Sequence, residues 1–563
     1  MREKVFAVLI VVFLLASLAP TLYEIRQSDR LAPIRAFELV HNFPTDFNFY
    51  LSRIRQGIEG RVTVKEQYTS EPHKGSFIHI FYLFLGWLGR WVRVPWHRAG
   101  DVYHVARIVF GGLLLVMIAQ FCKKSFSFSP IHPFTHSPIT FLLAVTASTW
   151  PKLVNYNGGW RLGGYMPWWS VMDSLQRITF IPHLLVGQAL IVFLIIALSD
   201  ETTMKKPGNW IFLGVLAFML GIIFPPGLLF VIATAGVLTI LEFIYFRHSG
   251  RRAGISPLKN WIPAFAGMTG KVAVLILGIP SLIYLSLMTS FYPWKRLAEF
   301  DIIKPLPFNY TEYLLAVGPI LPIGLIGLFI VLWKREKAFF PAVAWVLAWA
   351  MLLFIFQFIP SQSPLRFSEM IPHVPLGVLG SYAFYNIYNR YNHYKYYIFL
   401  LPAVLIAVGL GVMYSSYLWQ KDFIDHKMRA AYPLVPTGSY VMYPLKDFIA
   451  AIRYIQDATG DRTTVILSET TAGNYMPVYS GNTVYVGHAN TVRAEEKEVL
   501  VKEFFSGRMK PDDAKAWLER ENLRWIFFGP QEKEDGGVGD LSKVYPFLTQ
   551  AYKNAFVMVF KTL

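Results

Sequence analysis

The chain has 563 residues, 54% of them hydrophobic, 16% aromatic and only 16% charged, with a formal net charge of +17. That balance excludes an ordinary soluble domain and indicates a polytopic membrane protein. The positive charge is spread through short loops between apolar runs, as membrane orientation requires, and no basic-aromatic module of a nucleic-acid binder is present. The single cysteine, Cys122, excludes an internal disulfide and a thiolate metal cluster.

In chain order, the charged start Met1–Lys4 precedes an apolar run, Val5–Tyr23, which is long for a signal peptide and lacks a good cleavage pattern around Ala16–Pro20. It is expected to be an uncleaved first span with its N-terminus in the cytoplasm. Further spans are expected at about 105–121, 138–153, 181–199, 210–224, 228–246, 271–289, 311–333, 340–359, 372–389 and 396–417, eleven crossings in all. The pair either side of Pro225-Pro226-Gly227 is split because the combined run exceeds one bilayer crossing and the tripeptide is a turn signal. The apolar segment Ser76–Val92 is left over. If it lies at the interface, fourteen basic residues face the cytoplasm, including Lys123/Lys124, Lys205/Lys206 and Lys334/Arg335, against seven in the short outer loops; a crossing reverses the ratio. The positive-inside rule therefore keeps it from crossing. The long first loop, about 24–104, and the C-terminal region then lie outside the cytoplasm.

The segment Arg251–Gly270, containing Asn260-Trp261-Ile262-Pro263-Ala264-Phe265-Ala266-Gly267-Met268-Thr269, resembles peptides encoded by mobile repeated elements, and a loop position makes it dispensable for function. From about Leu418 the apolar runs shorten and helical and strand patterns alternate, which predicts a soluble α/β domain over 418–563 following a transmembrane domain over 1–417. Helices are predicted at Pro444–Ala458, Ala494–Phe505 and Pro511–Glu521, and strands at Thr464–Leu467, Thr483–Val486, Arg524–Phe528 and Phe556–Lys561. The turn-rich Glu469–Asn474 reads as a connecting loop, with ligand binding as the other reading, and no phosphate-loop or dinucleotide glycine pattern occurs.

Two outer-loop acids carry the candidate chemistry. Asp46, in His41-Asn42-Phe43-Pro44-Thr45-Asp46-Phe47-Asn48-Phe49-Tyr50, is poised between lipid and water or, equally, starts a juxtamembrane helix running through Arg55. Asp173 lies in the next outer loop, shortly before Ile181-Pro182-His183 opens a span. Two carboxylates from different outer loops can converge on one site.

The layout resembles the GT-C superfamily of membrane glycosyltransferases, which includes the protein O-mannosyltransferases, the bacterial aminoarabinose transferases and the oligosaccharyltransferase catalytic subunits. The resemblance covers the whole chain in layout and is specific over His41–Lys74, the Asp173–His183 loop and Leu365-Arg366-Phe367 to Pro375-Leu376. It implies a mainly α, GT-C-like transmembrane domain followed by an extracytoplasmic α/β domain, and a sugar donor linked to polyprenyl phosphate. By the same resemblance Asp46 matches the first-loop acid and Asp173 a second one. The first loop has one Asp rather than a two-acid motif, which argues against a tightly bound metal; a divalent cation is the one cofactor left open. The sequon-recognition motif of the oligosaccharyltransferases is not visible in the C-terminal region.

Such a site implies transfer of sugar to an acceptor at the outer face, with Asp46 as general base on an acceptor hydroxyl and positive charge on the leaving phosphate. Candidates for contact with the substrates are Glu71, His73, Lys74, His183 and Arg366, Arg being best suited to a bidentate phosphate contact. Each has a plainer reading: Glu71–Lys74 as a solvated turn, Arg366 as a snorkelling side chain, His183 as a helix-start residue. A non-catalytic relative or binding protein is the main rival class. A transporter is disfavoured because the spans are nearly free of ionisable residues, Glu242 sitting near a cytoplasmic end.

Overall fold

A computed structural model describes residues 2–126, 138–252, 257–303, 305, 307–359, 363–391, 395–437, 441–460 and 462–562. By internal contacts the chain divides into two units. The first comprises Met1–Ala19, Ala106–Leu285 and Lys304–Gln420; the second comprises Pro20–Val105, Ser286–Ile303 and Lys421–Leu563. The first long loop thus belongs with the C-terminal region.

Among the described residues six helices are long and apolar enough to cross a membrane: Glu3–Arg30, Trp96–Ser125, Pro225–Tyr245, Met268–Met288, Lys337–Phe356 and Leu400–Arg429. The pair Tyr310–Val317 and Ile320–Lys334 makes a seventh if counted as one span, broken by an 81° bend. The bend falls at Gly318, whose positive φ of 83° brings its backbone against the Ser148 carbonyl, leaving no room for a side chain. The chain is a multi-pass membrane protein, but the expected count of eleven is not reached by this measure. Helices Pro182–Leu198 and Pro207–Ile223 have 17 residues each, so at ~1.5 Å per residue they fall short of a ~30 Å hydrocarbon core. The expected span over 138–153 is a helix only from Ile139 to Thr146. Beyond it the chain turns extended towards Pro151 and forms a hairpin, β1 (Lys152–Tyr156) with β2 (Gly159–Gly163). Its turn is Asn157-Gly158, both at positive φ, the arrangement that matches strand twist. Of the segment Arg251–Gly270, residues 253–256 lie outside the described residues and Pro257–Met288 is one helix.

In the second unit the first loop forms a helix, Pro44–Ile58, started by proline at its first position, and a second, Ile80–Trp91. At 12 residues the latter is too short to span, in keeping with the charge argument. The two pack at a glycine contact: a Cβ on Gly57 would lie 2.1 Å from the Leu83 carbonyl oxygen, and one on Gly86 2.1 Å from that of Ile54.

The C-terminal sheet contains β3 (Val465–Leu467), β4 (Thr483–Val484), β5 (Trp525–Phe528), β6 (Leu548–Lys553) and β7 (Met558–Thr562) in the order β4-β3-β5-β7-β6. The first three are parallel, and β7 pairs antiparallel with both β5 and β6. Alternation along β5 sends Trp525 and Phe527 to one face and Ile526 and Phe528 to the other, and each face has its own core. On one, helix Lys446–Thr459 contributes Phe448, Ile452 and Ile455, and the first loop contributes Phe49 and Tyr68. On the other lie Phe504, Phe505 and Trp517 from helices Ala494–Phe505 and Pro511–Arg520. The expected loop Glu469–Asn474 is instead the start of a helix, Thr470–Tyr479. Burial overrides its turn-rich composition: Gly473 lies so close to the Val486 carbonyl that a Cβ would sit 1.9 Å from it. Strand β6, unanticipated, carries no clear alternation of its own and is held by pairing to β7.

Just ahead of that helix, Glu469 and Glu532 are buried beside each other, Glu532 accepting the Glu469 and Gly529 backbone N–H groups. Burial first, and the Glu532 and Asp535 charges second, push Glu469 up to about 9; burial pushes Glu532 up to about 7 despite its hydrogen bonds. Both values lie above the ordinary 4.5, so the folded protein holds protons that the unfolded chain releases. The resulting stability is full below pH ~4.5 and is lost as pH rises through the folded values. Glu469→Gln is expected to flatten the pH 5–9 melting profile and raise Tm at pH 8 by ~2–4 °C, as for a gain near 1 kcal/mol, measured by thermal unfolding in detergent. Gly86→Ala, by wedging the two first-loop helices apart, is expected to cost about 1–3 kcal/mol in the same assay.

Candidate functional site in the first loop

The Pro44–Ile58 helix is polar for a buried element: Asn48, Ser52, Arg53, Arg55 and Gln56 are all buried, Arg53 completely. Each of these groups must find a partner, and together they fix the helix. Arg53 pairs with buried Glu66 at 2.6 Å and lies over the Phe49 ring, 3.6 Å from its centroid. Arg55 donates to the Val478 and Ser480 carbonyls at 2.6 and 3.1 Å and pairs with Glu59 at 2.8 Å. Asn48 donates to Asn474 at 2.8 Å, and Asn474 donates in turn to the Thr45 carbonyl at 3.2 Å. Gln67 accepts Val484 N–H on its carbonyl, joining the loop to the edge strand β4.

Asp46 stands at the open end of this pinned helix, in its first turn, where the helix dipole favours a carboxylate. Its side chain is 46% exposed, unlike the polar residues that follow it. One helical turn on, Phe49 stacks on His488 with ring centroids 4.6 Å apart and planes at 21°. That stacking brings His488 Nε2 to 3.9 Å from Asp46 Oδ1. Tyr50 stacks on buried Tyr82 at 4.4 Å, with Tyr103 parallel to both, and His41 Nδ1 lies 3.0 Å from the Tyr103 hydroxyl. An exposed carboxylate is thus set on a fixed helix among stacked aromatic rings and an imidazole.

The other predicted residues of this unit lie further along the loop. Glu71 is tied to Lys497 at 2.8 Å, with Arg493 at 3.7 Å and the Thr69 hydroxyl also donating to it. Burial alone would raise its pKa, but the Lys497 and Thr69 hydrogen bonds outweigh burial and hold it below the usual carboxylate range. His73 accepts the Glu66 N–H on Nε2 at 3.0 Å, so its Nδ1 is protonated and donates to the Glu71 carbonyl at 2.8 Å. Burial pushes its pKa down, which keeps it neutral. Lys74 is exposed.

Asp173, His183 and Arg366 belong to the first unit. The Asp173 carboxylate accepts the Leu175 and Gln176 N–H groups at 2.8 and 3.1 Å, the Gln176 amide at 3.3 Å and the Ser416 hydroxyl at 2.5 Å. His183 is half-buried, the second residue of helix Pro182–Leu198, and Arg366 is half-buried in the short turn Pro364–Phe367. Among the described residues no group of three or more His, Cys, Asp or Glu side chains is arranged to hold a metal. Sequence reasoning missed His488 and Lys497; a His-Ala-Asn-Thr loop or a helix lysine carries no local signal that it meets the first loop some 420 residues earlier.

No model of a known protein family matches the chain, and no curated protein matches it in sequence. Solved structures do match in fold. The archaeal oligosaccharyltransferase AglB from Archaeoglobus fulgidus, in complex with an inhibitory peptide and a dolichol-phosphate, aligns over 100% of this chain and 74% of its own, with 11% identity and a TM-score of 0.52. The Archaeoglobus fulgidus oligosaccharyltransferase in complex with Zn and sulfate aligns over 98% and 73%, with 13% identity and a TM-score of 0.51. With a multi-pass helical unit and a first loop folded with a C-terminal mixed sheet, this chain shares the fold of these oligosaccharyltransferase structures over nearly its whole length.

Proposed function

We propose that this protein is a membrane glycosyltransferase that moves a sugar from a polyprenyl-phosphate-linked donor to an acceptor at the outer face of the membrane. The reading is supported by the end-to-end likeness to AglB, a protein whose structure holds a dolichol-phosphate and a peptide. The observation that carries it is Asp46: one exposed carboxylate on a helix whose following polar side chains are buried and bonded. A residue serving only the fold would be expected to share their burial.

In this mechanism Asp46 accepts the proton of an acceptor hydroxyl as that oxygen attacks the anomeric carbon from the face opposite the phosphate. The anomeric carbon–oxygen bond to phosphate breaks, its electron pair leaves on polyprenyl phosphate, and configuration inverts. The leaving group gains negative charge, for which exposed Lys74 is the proposed partner. Neutral His73 and the paired Glu71 are assigned to holding the loop, since their polar atoms already have partners. Asp173, with four hydrogen bonds on its carboxylate, is assigned to shaping the second outer loop, and His183 to the entrance of its helix. The proposed orientation places the N-terminus in the cytoplasm and the C-terminal domain outside.

Two experiments follow. Purified protein is given a panel of labelled sugars on polyprenyl phosphate, with wild type compared to Asp46→Asn; removal of a general base predicts a loss of about 10²–10⁴-fold at unchanged Tm. Undiminished transfer by the variant overturns Asp46 as base, and absence of transfer by wild type from every donor favours a non-catalytic binding protein. Asp173→Ala, which strips a capping carboxylate, is expected to lower stability by about 0.5–2 kcal/mol in thermal melts, with transfer falling only in proportion to folded protein.

A further inference from the structure

We infer that His488, in the C-terminal α/β domain, is a positioning residue for Asp46, so that this domain completes the site that the first loop begins. The inference rests on the reading of Asp46 as base and adds to it a role for the domain.

The loop that carries His488 is built to present one nitrogen. Asn490 N–H donates to His488 Nδ1 at 3.2 Å, so in the neutral ring the proton is on Nε2, the atom that faces the Asp46 carboxylate. The backbone around it is closed by Thr491 N–H on the His488 carbonyl at 2.9 Å. Thr491 Oγ1 then donates to the Tyr68 carbonyl at 2.6 Å, tying the loop to the first loop itself. The ring lies flat on Phe49, with Tyr68 tilted 5.4 Å away, and is only 9% exposed. An imidazole needed only for packing has no reason to hold one tautomer and aim its N–H at an exposed carboxylate.

At 3.9 Å the pair is longer than a hydrogen bond. The helix and the ring are both fixed, whereas the Asp46 side chain is half exposed and free to turn about its own torsions. A contact of Nε2–H with one carboxylate oxygen leaves the other oxygen directed at the acceptor hydroxyl, as an orienting partner does for a general base. The charged and titratable groups packed around this ring through Phe49 and Tyr68 are Arg53, which lies over Phe49, its partner Glu66, and His79, edge-on to Phe49 at 5.0 Å.

Two substitutions separate orientation from packing. His488→Gln supplies an N–H donor without the aromatic ring; His488→Phe keeps the stack on Phe49 without a donor. In the transfer assay, with full chain in detergent and the labelled polyprenyl-phosphate sugars, His488→Phe is expected to lose about tenfold or more in kcat with KM unchanged, and His488→Gln to recover most of it. The reverse order, with Phe active and Gln impaired, overturns the inference and leaves a packing role. Combined with Asp46→Asn, His488→Phe is expected to cause no further loss, because both act on one step; independent losses overturn the coupling. A second readout does not need activity: ¹⁵N-histidine NMR of the full chain, with the His488 signal assigned as the one missing in His488→Gln. Asp46→Asn is expected to shift its Nε2 resonance while leaving Nδ1 in place, and an unmoved resonance shows that the contact is not made. If Asp46→Asn is fully active while the resonance moves, the base reading has failed and the contact stands; if Asp46→Asn is inactive and the resonance does not move, the inference alone has failed.

Discussion

The second unit depends on the buried pairing of Arg53 with Glu66 and the hydrogen-bonded polar groups on either side of it. A guanidinium with no exposure is costly unless its charge is matched and its donors used, and removal of one partner from such a pair is far more damaging than the pair is stabilising. The pair is therefore better understood as fixing one arrangement than as a source of stability. Arg53 lies under Phe49, Phe49 packs in the core of the C-terminal sheet, and Arg55 closes on carbonyls at the end of the Thr470–Tyr479 helix. The first loop and the C-terminal domain consequently share one core, although nearly 400 residues of chain separate them.

Chemistry follows from this fixing. A general base must be held within a narrow range of positions, and loops hold residues poorly unless their own side chains are locked. Here the lock is the polar face of a single helix, on which Asn48, Ser52, Arg53, Arg55 and Gln56 each have a hydrogen-bond partner while the Asp46 carboxylate is left half exposed at its start. The same helical period that buries Phe49 and Arg53 sets His488 beside the carboxylate. Energetically the arrangement spends buried hydrogen bonds on precision, and the Gly57–Gly86 contact adds backbone proximity that larger residues would prevent.

Elsewhere the molecule uses burial to override local preference. Glu469-Thr470-Thr471-Ala472-Gly473-Asn474 has the composition of a turn, yet it opens a helix because Gly473 packs against the Val486 backbone and Ala472, Tyr475 and Met476 enter the core. Beside it the buried carboxyl of Glu532 accepts the Glu469 and Gly529 backbone N–H groups, and burial raises the pKa of both carboxyls.

Hydrophobic runs were enough to identify a multi-pass membrane protein and to place most of its helices, because hydrocarbon admits only long apolar helices. Alternation and helix punctuation likewise located Ala494–Phe505 and the strands β3, β4, β5 and β7, and the Asn-Gly turn of the β1–β2 hairpin was legible in the outer loop that follows the expected span over 138–153. Composition could not show which apolar helices are long enough to cross, since a proline or a glycine bend such as that at Gly318 ends a helix within an unbroken hydrophobic stretch. Nor could it show that the Asp46 carboxylate stays half exposed, that His73 is neutral and tied into its own turn, or that His488 and Lys497 meet the first loop. Those are contacts between residues remote in sequence, decided by how buried polar groups find partners once the chain has closed on itself.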